Sequence, residues 1–308
     1  MLGALCATFA ASFAQDISTR ALPPEISYPE GIAYDAKGSS FYTASAVDGA
    51  VIKVNLASNR SEIVLPGKTL IESADPFPTL LGMNLDRAGR LWICGGRTSR
   101  MFVIDPAKRS VLKKLTLGTG GLLNDVAFTP EAAYVTDTLR PTLWRIETKG
   151  SSIGEAQAWL DLSRTPVGHI QGLNLNGIVA TADGKRLLVA HMDKGQVFSI
   201  DTATKQVTAI DLGKETLTGI DGLLLDGTTL YLVRQPAAEV VRIALSPDLA
   251  SGKVVARLTN PALLWPSTLA KKGNELLVVN TQFDTKDKQP PKQPFTVAVI
   301  PIAKLEGG

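Results

Sequence analysis

Cysteine and histidine are scarce in this chain of 308 residues, with two of each, and that limits its chemistry early. Cys6 lies in an uncharged leader-like segment, so cleavage there would leave Cys94 alone, without an internal disulfide. Cys94 sits in the apolar stretch "LWICGG" and is expected to be a small buried hydrophobe rather than a nucleophile. Nothing resembles a Cys/His cluster, which argues against a structural zinc site. Net charge is only +3, and no Lys/Arg block or basic-aromatic stripe is present, so no nucleic-acid partner is expected. The G-x-S-x-G elbow of a serine hydrolase is missing. The glycines of "LGTGGLLND" precede no Lys-Ser/Thr pair, which removes a phosphate loop. No segment has the apolar length of a bilayer span, and outside the N-terminus no long segment keeps a 3.6-residue apolar period.

Residues 1–14, "MLGALCATFAASFA", carry no charge and end in the small-x-small sequence Ser12-Phe13-Ala14. This is expected to be a signal peptide cleaved before Gln15, making the protein secreted or periplasmic. Residues 15–308 are then expected to form one domain. The hydrophobic content of 44% is enough for a large core, and no linker or composition shift interrupts the chain.

One phrase recurs along the chain: a polar or small residue, an apolar strand, an Asp/Gly turn, and a second apolar strand. Its copies begin at Glu30, Leu81, Asn124, Asn176, Asp221 and Ser267, spaced 43 to 52 residues apart. Most copies are followed by two more short strands, as in "GQVFSID" with "KQVTAID". Four strands at that period predict an all-β fold, a six-bladed β-propeller. The last unit supplies only three strands, "STLA", "ELLVVN" and "FTVAVIPI". The missing fourth is expected from Ile17–Leu22, closing the ring. The polar, Pro-rich stretch 284–294 reads as an exposed excursion within that last blade. Trp92, Trp144, Trp159 and Trp265 are expected to pack blades.

In a propeller the first strand of each blade lines the central channel. Four of the six residues entering those strands carry a flat carboxylate or amide head: Glu30, Asn124, Asn176 and Asp221. Asp35, Asp86, Asp183 and Asp226 lie at the other end of the same strands and read as hairpin-turn residues. Two carboxylates converging without a Lys or Arg would repel one another and suffer desolvation. A hard divalent cation would relieve both effects. Ca²⁺ is the expected ion, with Mg²⁺, Mn²⁺ or Zn²⁺ as alternatives.

The stretches "PEGIAYD", "LNDVAF", "NLNGIVATADGKRLLVAH" and "GIDGLLLDG" resemble the senescence marker protein / gluconolactonase / luciferin-regenerating enzyme family, over about residues 28–280. The resemblance implies a six-bladed propeller with one divalent metal at the channel mouth. It implies Glu30, Asn176 and Asp221 as metal ligands, Asn124 beside the substrate, and Asp221 as general base. The implied reaction is hydrolysis of a lactone or related ester. Leu122 stands where sugar lactonases of that family commonly carry Arg, and the aromatic of the first motif is displaced, with Ala33 and Tyr34 in "EGIAYD". An apolar wall there argues against a hydroxyl-rich aldonolactone. The four oxygen donors argue against a strictosidine synthase-like propeller, which lacks them. Paraoxonase-like lactonases also use His, so His169, seven residues before Asn176, is a further candidate; His191 ends the second strand of that blade. Two functions follow: an exported metal-dependent lactone or ester hydrolase, or a propeller that binds a ligand or partner without turnover around a structural metal.

Overall fold

The computed structural model describes residues 16–306; the expected leader, 1–14, and Cys6 lie outside the described residues. The described residues form twenty-four strands, β1–β24 in chain order, in six antiparallel four-stranded sheets. No α-helix occurs among the described residues, only short 3₁₀ turns such as Phe283–Thr285, and no helix there is long and apolar enough to cross a membrane.

The strand patterns follow from position in a blade. Middle strands such as Ser40–Ser45 and Leu91–Cys94 are buried on both faces, because blades stack on either side of them. The outermost strand Gly252–Thr259 alternates strictly between sheltered and exposed residues, as a half-buried edge must. Phe41, Trp92 and Phe102 are wholly buried between blades, each worth roughly 1.5–3 kcal/mol of apolar transfer. Cys94 is likewise fully buried, and burial pushes its thiol well above the usual range. Trp92 packs edge-on against Phe128, with ring centroids 5.6 Å apart, and its Nε1–H donates to Asp86 at 2.9 Å. Trp265 lies directly before the first strand of the sixth blade, with φ of 51°.

The innermost strands are β2 (Pro29–Asp35), β6 (Met83–Leu85), β10 (Leu123–Phe128), β14 (Leu175–Ala180), β18 (Ile220–Asp226) and β22 (Pro266–Lys272). Each contacts the next, and β22 returns to β2. The ring is completed by β1 (Ser18–Ala21), which pairs antiparallel with β24 (Thr296–Pro301), Ser18 opposite Val299 and Ala21 opposite Thr296. The N-terminal segment thus supplies the fourth strand of the last blade, which leaves no open gap in the ring.

Five of the six innermost strands carry a β-bulge at the same place, and each bulge begins with the residue that opens the repeat. The register breaks between Pro29 and Ile32, Leu123 and Val126, Leu175 and Ile178, Ile220 and Leu223, and Pro266 and Leu269. Glu30 and its counterparts therefore sit inside the strands rather than just before them. The extra residue re-aims their side chains toward the axis. The second bulge position is Gly31, Gly177 and Gly222 in three blades, and Gly82 takes the matching place before the short β6. A Cβ on Gly31 would collide with the Leu81 carbonyl, and one on Gly177 with that of Asp221. Neighbouring blades approach too closely there for a side chain. Bonds across the seams lock the ring: Ser267 Oγ donates to the Glu30 carbonyl at 2.7 Å, the Gly82 amide to the Asn124 carbonyl at 2.8 Å, and Thr136 Oγ1 to the Asn176 carbonyl at 2.6 Å.

Candidate functional site

The bulges bring Glu30, Asn124, Asn176 and Asp221 into one cavity of about 160 Å³ at the channel mouth. The repeat supplies only part of its wall. Leu81 and Ser267, the remaining repeat-opening residues, carry no donor to the centre: Leu81 is an apolar wall, and the Ser267 hydroxyl is spent on the Glu30 carbonyl.

The site's electrostatics are dominated by desolvation. Glu30 and Asp221 are nearly inaccessible to water. Burial raises both carboxyls well above the ordinary range. For Glu30, the charges of Asp221 and then Asp125 raise it further; for Asp221, Asp125 adds and the Asn176 amide opposes. Three acceptor oxygens have no hydrogen-bond partner: Glu30 Oε2, Asn176 Oδ1 and Asp221 Oδ1. The Asn176 amide is oriented by its other end, where Nδ2 faces Met192 Sδ at 3.4 Å. Asn124 Nδ2 donates to Thr138 Oγ1 at 3.0 Å, and that hydroxyl donates onward to the Leu175 carbonyl at 2.6 Å. Orphaned buried acceptors are rare in folded proteins, and three in one cavity, with no Lys or Arg lining it, form a set that fits a hard cation. Among the described residues no three Asp, Glu, His or Cys side chains gather at metal-holding range. The fit therefore depends on the Asn176 amide beside two carboxylates.

A third acid lies just below. Asp125 occupies the second bulge position, where its counterparts are mostly glycine. Its Oδ1 accepts the Val126 amide at 2.8 Å and its Oδ2 accepts the Ile178 amide of the next blade at 3.3 Å. Burial pushes its carboxyl up to about 7 against those two bonds. Sequence reasoning missed it, although the signal was present: Gly31, Gly82, Asp125, Gly177, Gly222 and Thr268 form one column with a single charge. Asp125 lines a lower channel cavity together with Ala33 and Tyr34. The displaced aromatic of the first motif is thus remote from the mouth.

Neither histidine lines the mouth cavity. His169 is exposed on its loop. His191 is fully buried, its Nδ1 accepting the Lys194 amide at 3.3 Å, and burial followed by the Lys194 charge holds it down to about 4. Two of the turn aspartates act locally, as expected: Asp35 accepts the amides of Lys37 and Gly38, and Asp183 that of Lys185, whereas Asp226 pairs with Lys271 of the next blade. Asp86 does more, since besides the Ala88 amide it holds the Arg90 guanidinium at 2.5 Å and the Trp92 indole.

The upper wall comes from loops that no repeat pattern marked. Pro78, Leu122, Leu173, Met192, Gln235 and Phe283 line it. Phe283 heads the 284–294 excursion. It is wedged against Phe77, with centroids 5.3 Å apart, and Tyr28, at 6.2 Å. The Gln282 side chain staples the base of that exposed loop to both backbone groups of Lys292, at 2.8 and 2.9 Å.

No protein-family model matches this chain, and no curated protein matches its sequence. Solved structures establish the β-propeller. The virginiamycin B lyase of Staphylococcus aureus superposes with a TM-score of 0.59 at 12% identity, over 92% of this chain and 98% of that one. A candidate gluconolactonase gives a TM-score of 0.61 at 14% identity, over 92% of each chain. The allergen Mala s 1 of Malassezia sympodialis gives 0.65 at 12%, over 93% of this chain and 96% of that one. At such identities the likeness is one of fold.

Proposed function

We propose that the protein is an exported metal-dependent hydrolase that opens a lactone or related ester at the channel mouth. The observation that carries this is the trio of unpartnered oxygens on Glu30, Asn176 and Asp221, in a cavity lined by no cationic side chain. Those three residues would hold a divalent cation, Ca²⁺ first among the candidates. When bound, it supplies Lewis acidity toward a carbonyl and toward water. Asp221 takes the proton of the attacking water. Asn124, fixed by Thr138 through one Nδ2–H, keeps its second amide N–H to donate to the ester and orient it beside Asp221. The wall around the cavity is largely apolar. A candidate gluconolactonase among the solved propellers of like fold is consistent with the reading. Export would depend on residues 1–14.

The test is metal analysis of the purified protein together with a lactone and ester panel, with and without chelator. Turnover lost with the metal and restored on its return is the expected result. Asp221→Asn should cut kcat by at least about a hundredfold while the fold, read by circular dichroism, persists. Undiminished activity after complete metal removal would refute the mechanism. No activity across the panel would favour a non-catalytic binding propeller around a structural metal.

A further inference from the structure

We infer that this site selects uncharged, predominantly apolar esters, a lactone ring bearing a short aliphatic or aromatic substituent, and that Leu122 and Leu173 set this choice. The inference rests on reading the mouth as the ester-binding site. No Lys or Arg lines the cavity, so no side chain in it attracts an anionic ligand. The walls above it are apolar: Leu122, Leu173, Met192 and Phe283 surround the space, with Leu173 still 37% exposed at the rim. Polar handles are few. The Thr138 hydroxyl already bonds Leu175 and Asn124, which leaves the Gln235 amide and the second Nδ2–H of Asn124 as donors. Those can meet a ring ester but not a set of sugar hydroxyls. Each hydroxyl buried there without a partner costs roughly tenfold or more in affinity.

The absence of a cation is built into the loop. Arg140, the nearest arginine to Leu122 in its blade, is turned away: its guanidinium is engaged by the fully buried Asp137 and donates to the carbonyls of Leu117 and, at 3.1 Å, Thr119. Asp137 in turn accepts the Leu122 amide at 3.0 Å. The clamp therefore fixes Leu122 toward the cavity and uses the loop's positive charge elsewhere. A space of about 160 Å³ holds about five water volumes, which suits a small ring with a short chain that extends past Leu173.

The experiment separates ligand class from catalysis by using lactams, which resist hydrolysis. Binding of 6-methyl-, 6-propyl- and 6-pentyl-2-piperidinone and of gluconolactam to the metal-loaded protein is measured by calorimetry. Affinity should rise about fourfold per added methylene until the chain leaves the rim, with gluconolactam weakest. Leu122→Arg should flatten that trend and strengthen gluconolactam. Leu173→Ser, at an exposed position where folding is not at stake, should weaken only the longer chains. This pattern in a protein that hydrolyses no ester would sustain the ligand class and defeat the hydrolase reading. Indifference to chain length, tighter binding of gluconolactam, or no binding of any lactam would overturn the inference, whatever the activity panel shows.

Discussion

Replacing Asp125 with Asn, and following urea unfolding of the metal-free protein between pH 4 and 8, tests the electrostatics of the channel directly. The folded carboxyl is pushed up to about 7, against an ordinary 3.8. The native state therefore keeps a proton that the unfolded chain releases. Stability from this group is full below pH 3.8 and is lost as pH rises toward 7. That gap is worth roughly 4 kcal/mol, a ceiling because water in the channel screens the charge. Glu30 and Asp221 are raised in the same direction and steepen the fall. His191 opposes them: held down to about 4 against 6.5, it costs stability as pH drops between those values. Comparing wild type with the variant cancels the His191 contribution. Asn can keep the Val126 bond, but its NH₂ would face the Ile178 amide, a mismatch of about 1–3 kcal/mol at every pH. The variant should thus be less stable near pH 4, decline less steeply, and close the gap near neutrality. Parallel curves would show that Asp125 does not titrate in this range, and the account of the three coupled acids would fail.

Other expectations concern the scaffold. Deleting residues 15–24 removes β1 and the buried Leu22; at about 1 kcal/mol per net hydrogen bond and about 2 for the leucine, the melting temperature should fall by roughly 10 °C or more, and an unchanged melt would mean the ring does not need that strand. Arg140→Met leaves Asp137 charged in a fully buried site; chemical denaturation should register a loss of about 3–5 kcal/mol, and a neutral result would mean Asp137 is neutralised in another way.

Blade count, blade order and the N-terminal closing strand were legible in the sequence because each blade is a local unit. Its hairpins repeat the same apolar runs and turn residues, and the shortfall in the last unit shows as a missing strand. Glu30, Asn124, Asn176 and Asp221 were legible as one column for the same reason. What the repeat could not express was direction. A bulge turns these residues inward, and the same bulge places Asp125 in a position its neighbours leave to glycine; both depend on how closely adjacent strands approach. Of the mouth wall only Leu122 was legible, through the family resemblance; Leu173, Met192 and Phe283 were hidden, since they lie in connections with no common spacing. The sequence by itself determined six similar sheets and the chemistry carried on their inner strands. Tertiary structure alone decided that residues nearly two hundred positions apart, Glu30 and Asp221, share one desolvated cavity. The reason is that strand patterning is set by neighbours along the chain, whereas convergence on an axis exists only once the ring has closed.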